Sequence, residues 1–237
     1  MFYAERILGD VRGTFFEKCY ICENIIGTDP QQEHRIPKSA NNSDLNLGLE
    51  SNVFWACSRC NQKKGHGFFV ESKECRYSYG YVGVIDCTKC DPNQYIKIKI
   101  GDLNNNYGIT VTEKKYAPCV KHTISLLEEI YGCRDTIADI KLDNLKYLIQ
   151  AEVLEFFKIF FKLQSEVKYG QSMAIINRRK EDVIRKLTPD SPFSAFKRTY
   201  LDEFYETAPH DELKRIMGEI LSDPRINPNV EITCNSI

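Results

Sequence analysis

The sequence predicts an α+β chain whose strands and helices are segregated along its length, and three observations carry that prediction. Paired cysteines punctuate a turn-rich stretch over residues 1–70. Aromatic and β-branched residues alternate with polar ones from 71 to about 115, and from about 117 onward apolar residues recur at spacings of three and four. The expected organisation is a metal-stapled module over 1–70, a strand-rich connecting segment over 71–132 that ends in a helix, and a helical region over 133–237.

Composition bounds the answer before any motif is read. A chain of 237 residues with 42% hydrophobic content holds one large domain or two small ones around a buried core. The opening MFYAERILGD places Glu5, Arg6 and Asp10 where a signal peptide needs an apolar stretch, and no charge-free run of 18 residues occurs, so the expectation is a cytoplasmic protein with no membrane span. In that compartment thiols stay reduced, and ten cysteines point to metal ligation wherever they come in pairs. The net charge of −1 does not advertise a nucleic-acid binder, yet Arg35, Lys38, Arg59, Lys63, Lys64 and His66 concentrate positive charge around one stretch.

In chain order, apolar residues are too sparse over 1–70 for long helices, whereas "YSYGYVGVID" and "YIKIKI" read as strands broken by the turn signals "DPN" and "DLNNNYG". "CVKHTISLLEEIYG" reads as a helix ending on Gly132. A long helix over 141 to 169 follows, in which Leu142, Leu145, Ile149, Val153, Phe156, Phe160, Leu163 and Val167 form one stripe, widened by Leu148, Phe157 and Phe161. Two readings of that breadth stay open, an internal core helix or a face for a partner subunit. A helix over 172 to 187 stops before Thr188-Pro189. Ser191-Pro192 then reads as an N-cap with proline at the first helical position, introducing "FSAFKRTYLDEFYE", and "DELKRIMGEIL" is a last short helix.

The chemistry concentrates between residues 19 and 65. Cys19-x2-Cys22, a gap of 34 residues, and Cys57-x2-Cys60 give four thiolates in two knuckles, the arrangement that wraps tetrahedral Zn2+ in a closed, structural site. Between the knuckles stand Glu33-His34, Pro37, a polar loop and Asn52, and Asn61 follows the last cysteine with Lys64-Gly65 behind it. Trp55 and Phe54 read as core beneath the metal. A second set, Cys87-x2-Cys90 with Cys119-x2-His122, also has metal-ligand spacing. "CTKCDPN" reads equally well as a turn, and His122 as an ordinary residue at a helix start.

The block from Cys19 to Gly65 resembles the HNH endonucleases of the ββα-metal group, which carry an acid and a histidine on a first strand, an asparagine before the second knuckle and CxxC-Asn-x-x-Lys-Gly leading into a helix. The resemblance implies a general base at His34, since a neutral imidazole takes a proton from water at little cost. It implies Glu33 and Asn61 as ligands of a single Mg2+ or Mn2+, and Asn52 as the residue that holds the His34 ring through its amide or backbone carbonyl. Arg35, Lys38 and Lys64 are its candidate phosphate contacts. One departure is Glu rather than Asp as the first-strand acid, which moves the carboxylate by roughly a bond length and loosens the metal assignment. The plainer readings are a structural histidine at His34 and turn or cap residues at Asn52 and Asn61.

Over most of the chain, "CYICE", "EHRIPKS", "WACSRCNQKKG", "IDCTKCDP", "TISLLEEIYG" and "SPFSAFKRTYL" are similar to the HNH subunit of Septu-type antiphage defence systems, the PtuB-like proteins found beside an ATPase or joined to a retron. That similarity implies nucleic acid, either DNA or tRNA/RNA, as substrate and an ABC- or SMC-like ATPase as partner. The competing expectation is a zinc-stabilised binding module without catalysis, presenting Arg59 and Lys63 to nucleic acid or protein.

Overall fold

In the computed structural model the chain is a mixed α+β protein, described here over residues 17–26, 30–37, 52–67, 70–71, 81–85, 87, 91–101, 108–132 and 140–226. The expected phosphate contact Lys38, the ligand Cys90, the polar loop after Pro37 and half of "YSYGYVGVID" lie outside these residues.

Strands β1 (Gln31–His34) and β2 (Val53–Ala56) pair antiparallel, with Gln31 opposite Ala56 and His34 opposite Val53, and helix α1 (Ser58–Lys64) leaves β2 through Cys57. The first knuckle is a tight hairpin. A bridge joins Lys18 to Ile25, Cys19 N–H donates to Asn24 O at 2.8 Å, and Glu23 takes a left-handed φ of 58° to make the turn. Tyr20 N–H donates to Trp55 O at 3.0 Å and fixes this knuckle to β2.

Two short strands, β3 (Val70–Glu71) and β4 (Tyr81–Val82), form a second ladder, and β5 (Ile96–Ile100) with β6 (Ile109–Glu113) a third. Along β5 the period of two turns Ile96, Ile98 and Ile100 inward and leaves Lys97 and Lys99 half-exposed. Five helices follow: α2 (Pro118–Ile130), α3 (Ile140–Lys168), α4 (Met173–Leu187), α5 (Ser194–Glu206) and α6 (Asp211–Leu221).

Helix α2 ends where Gly132 takes φ 61°, a conformation that favours glycine, and a Cβ there would run into Leu142 Cδ2 of α3. The stripe of α3 from Leu142 to Leu163 is buried, whereas Leu148 and Phe161 are exposed and Phe157 is half-buried. The N-terminus of α5 departs from the sequence expectation. Ser191-Pro192 does not cap it; the residue before the helix is Phe193 in a left-handed conformation, φ 52°, with its ring buried. The reason is that Ser191 is engaged elsewhere, its carbonyl accepting from Lys18 Nζ at 3.0 Å and its hydroxyl from Lys197 Nζ at 2.7 Å.

Two apolar cores result. The first draws on the knuckles, β5, β6, α2, the first half of α3 and the start of α5, so it spans all three stretches of the sequence. The second is built from the rest of α3 with α4, α5, α6 and Ile226. Among the described residues no helix is long and apolar enough to cross a membrane.

Candidate metal centre and the residues around it

The hairpin carrying Cys19 and Cys22 and the β2–α1 corner carrying Cys57 and Cys60 bring four sulfurs within 4.8 Å of one another. Tetrahedral bonds of about 2.3 Å to zinc separate sulfurs by about 3.8 Å, and Cys22 Sγ lies 3.9 Å from Cys57 Sγ. Protons on such a cluster obstruct one another. Hydrogen bonds from Cys19 and the other thiols drive Cys57 far below the thiol range, while Cys22 and Cys60, hydrogen-bonded to the same neighbours and buried, are pushed well up. A divalent cation resolves that conflict by letting every sulfur ionise, and the four positions fit zinc in a closed, structural site.

Of the second expected set, Cys87, Cys119 and His122 are half-buried and the described residues do not gather them into a donor cluster. Burial, with Lys121 beside it, holds His122 below the ordinary histidine pKa. The Cys119 carbonyl is taken by Thr123 Oγ1 at 2.7 Å, an internal bond of α2.

Beside the cysteine cluster, β1 and α1 lie against each other through polar side chains. Gln31 and Glu33, two apart on the strand, meet Asn61 and Lys64, three apart on the helix. Asn61 Nδ2 donates to Gln31 Oε1 at 2.9 Å, and Lys64 Nζ donates to Glu33 Oε1 at 2.5 Å and to the His34 carbonyl at 2.9 Å. The second carboxylate oxygen of Glu33 accepts from Tyr20 Oη, whose ring packs 4.7 Å from that of Phe54. Both charged partners are out of water, with side-chain exposures of 0% for Lys64 and 4% for Glu33. Burial lowers the Lys64 pKa against the opposing pull of Glu33, and burial followed by the Glu33 charge raises that of Tyr20.

His34 is half-buried at the last position of β1. Immediately after it, Asn52 clamps the chain: Ile36 N–H donates to Asn52 Oδ1 at 2.9 Å, Asn52 Nδ2 donates to Ile36 O at 2.8 Å, and Arg35 N–H donates to Asn52 O at 3.0 Å. Phe54 and Trp55, consecutive on β2 and so directed to opposite faces of it, are both buried.

The structure therefore brings Glu33, His34, Asn52, Asn61 and Lys64 into one small unit but gives several of them different neighbours from those expected. Lys64 is not presented to a phosphate, because its ammonium is enclosed and bonded on two sides. Arg35 is also buried, with Nη1 donating to Val84 O at 3.2 Å. Asn52 acts on the backbone that leaves His34. Arg59, offered by the binding-module reading, donates to the Ile130 carbonyl at the end of α2 at 3.1 Å. Sequence reasoning missed Gln31 and Tyr20. The strand period points from Glu33 to Gln31, but nothing in the spacing points to Tyr20. No family model, curated protein or solved structure matches the chain.

Proposed function

We propose that the chain is an HNH-type endonuclease that hydrolyses phosphodiester bonds, with His34 accepting the proton of the attacking water. The observation that carries this reading is the joint placement of His34: the residue ends a strand paired to the second knuckle, its carbonyl is held by Lys64 at 2.9 Å, and Asn52 clamps the two residues after it. An imidazole half-exposed on so fixed a backbone can meet a substrate in one geometry, as general-base chemistry needs. A Mg2+ or Mn2+ near Asn61 would supply charge stabilisation for the phosphate. Glu33 as a direct ligand fits poorly, since both of its oxygens are occupied by Lys64 and Tyr20 inside the protein. Action as the nuclease of an antiphage pair, with an ATPase providing control and basic surface, extends the same proposal and rests on the sequence resemblance.

That occupied Glu33 favours a second reading, a zinc-stabilised module that binds nucleic acid or protein without cutting. The experiment that separates them is cleavage of plasmid DNA and of total tRNA in Mg2+ or Mn2+, comparing the wild type with His34→Ala at equal zinc content. Cleavage abolished by the substitution supports the nuclease and identifies the substrate class; equal cleavage by both proteins removes His34 from the mechanism. Binding to either nucleic acid, with no cleavage even when the ATPase is added, supports the second reading.

A further inference from the structure

Helix α5 has no N-terminal cap from its own chain neighbourhood: the residue preceding it is Phe193, and no local side chain accepts its first amides. The cap comes from 172 residues away. Glu23 Oε2 accepts from Ala195 N–H at 2.9 Å and Glu23 Oε1 from Ser194 Oγ at 3.0 Å, a carboxylate at the positive end of a helix. Lys18 donates to the Ser191 carbonyl at 3.0 Å in the segment that leads into the same helix. In sequence Lys18 immediately precedes Cys19 and Glu23 immediately follows Cys22, so the two residues bracket the first knuckle. Their positions are set by the hairpin that presents those two sulfurs.

The first two turns of α5 are a junction for the helical region. Lys197 Nζ reaches Ser191 Oγ at 2.7 Å and Glu152 of α3 at 3.3 Å, and Arg198 reaches Asp91 at 2.9 Å and the Leu187 carbonyl of α4 at 2.9 Å. Lys197 is fully buried and Arg198 nearly so.

We propose that the occupancy of the four-cysteine site is read out at the N-terminus of α5: the bound metal holds the Cys19–Cys22 hairpin in the shape that delivers Glu23 and Lys18, and its loss uncaps a helix that contributes no ligand. The inference rests on the metal reading of the cysteines and is independent of the nuclease proposal. It makes the metal a coupling element between the N-terminal unit and the helices, in the thermodynamic sense that binding at one place changes order at another.

The test is amide hydrogen exchange on the full-length zinc-loaded chain, before and after stripping with a chelator, with zinc release measured in parallel. Stripping is expected to speed exchange at residues 194–198 by about tenfold, the equivalent of a lost cap, while α6 keeps its protection. Glu23→Asn is the second arm. Asparagine suits the positive φ of this position but is too short to reach α5, so the variant is expected to exchange fast at 194–198 with zinc still bound. Unchanged exchange at 194–198 after zinc has left overturns the proposal, as does wild-type protection in zinc-loaded Glu23→Asn. Should stripping unfold the whole chain, α6 included, the zinc-loaded variant alone decides between the two outcomes.

Discussion

The two cores of this protein are held by different means. The second is hydrocarbon on long helices: Phe156 and Phe160 stack at 5.8 Å, Phe160 and Phe204 at 5.0 Å, and Leu163, Val183, Leu187 and Met217 close around them with essentially no exposure. At the N-terminal end of the first core the elements are a four-residue strand pair and a seven-residue helix, too short to bury an apolar face of useful size. There the links are specific polar ones, four sulfurs, an Asn52 clamp and a buried Lys64–Glu33 pair. Helix α3 runs through both cores, giving Leu145, Ile149 and Val153 to one and Phe156, Phe160 and Leu163 to the other. The lesson is that short elements survive by obligatory partners and long ones by area, so the two ends should fail differently.

The sharpest way to break the comparison is to deny the four cysteines a metal. A structural zinc in small modules contributes on the order of 10 kcal/mol, comparable to the whole stability of a domain. Chelation, or Cys60→Ala, is therefore expected to unfold β1, β2 and α1 while most helicity persists. The single tryptophan, Trp55, is buried in β2 and reports on this directly. Its emission should shift to the red, and an unshifted spectrum in metal-free protein would sink the idea that the module depends on metal.

Next in size are one deletion in each core. Lys64→Met strands the buried Glu33 carboxylate beside Tyr20 and should cost about 3 to 5 kcal/mol. The double change Lys64→Met with Glu33→Gln should recover a good part of it, measured by denaturant unfolding followed through Trp55. Phe160→Ala should cost a similar ~3 to 5 kcal/mol as a cavity, seen in the far-ultraviolet helical transition. Equal recovery by any unrelated second substitution would show that charge isolation is not the cause in the first case.

A smaller effect concerns Lys197, whose pKa burial lowers to about 8, with the Glu152 charge opposing. Between about pH 8 and the ordinary lysine value of 10.5 the unfolded chain holds a proton that the folded chain has shed. Stability from this group therefore rises with pH across that window and is lowest below it, by at most ~3.5 kcal/mol at about 1.4 kcal/mol per unit. Lys197→Met should flatten that part of the stability curve relative to wild type; an unchanged slope would mean that the ammonium is better solvated than its position implies. Smallest of all, Arg215→Ala on the surface of α6, which severs exposed bridges to Glu212 and Glu219, should leave the denaturation midpoint where it is in wild type.

Much of the architecture was legible because it follows from periodicity. The α3 stripe and the β5 alternation are repeats that burial imposes on any sequence, and the spacing of the two cysteine pairs encodes a closed ligand set. What escaped reading depends on contacts between distant residues. Nothing near Ser191 signals that its oxygens are claimed by Lys18 and Lys197, so the α5 cap was placed two residues early and on the wrong side chain. Lys64 and Arg35 looked like surface charges because basic residues usually are, and only the fold reveals the carboxylate and carbonyl that take them inside. At the candidate site the alignment of Glu33 with Lys64 and of Gln31 with Asn61 follows from how a strand and a helix lie together, a relation that motif order alone does not contain.

Gly132 has a consequence for what can be substituted between the two helices. Nineteen of the twenty amino acids carry the Cβ that would run into Leu142 Cδ2, in a backbone conformation that already disfavours them. A substitution at this codon meets the left-handed backbone first, and it also asks the tip of Leu142 to swing aside where α2 meets α3. A side chain at this position would therefore be felt first at the opening turn of α3, through Leu142, and not at the cysteine cluster.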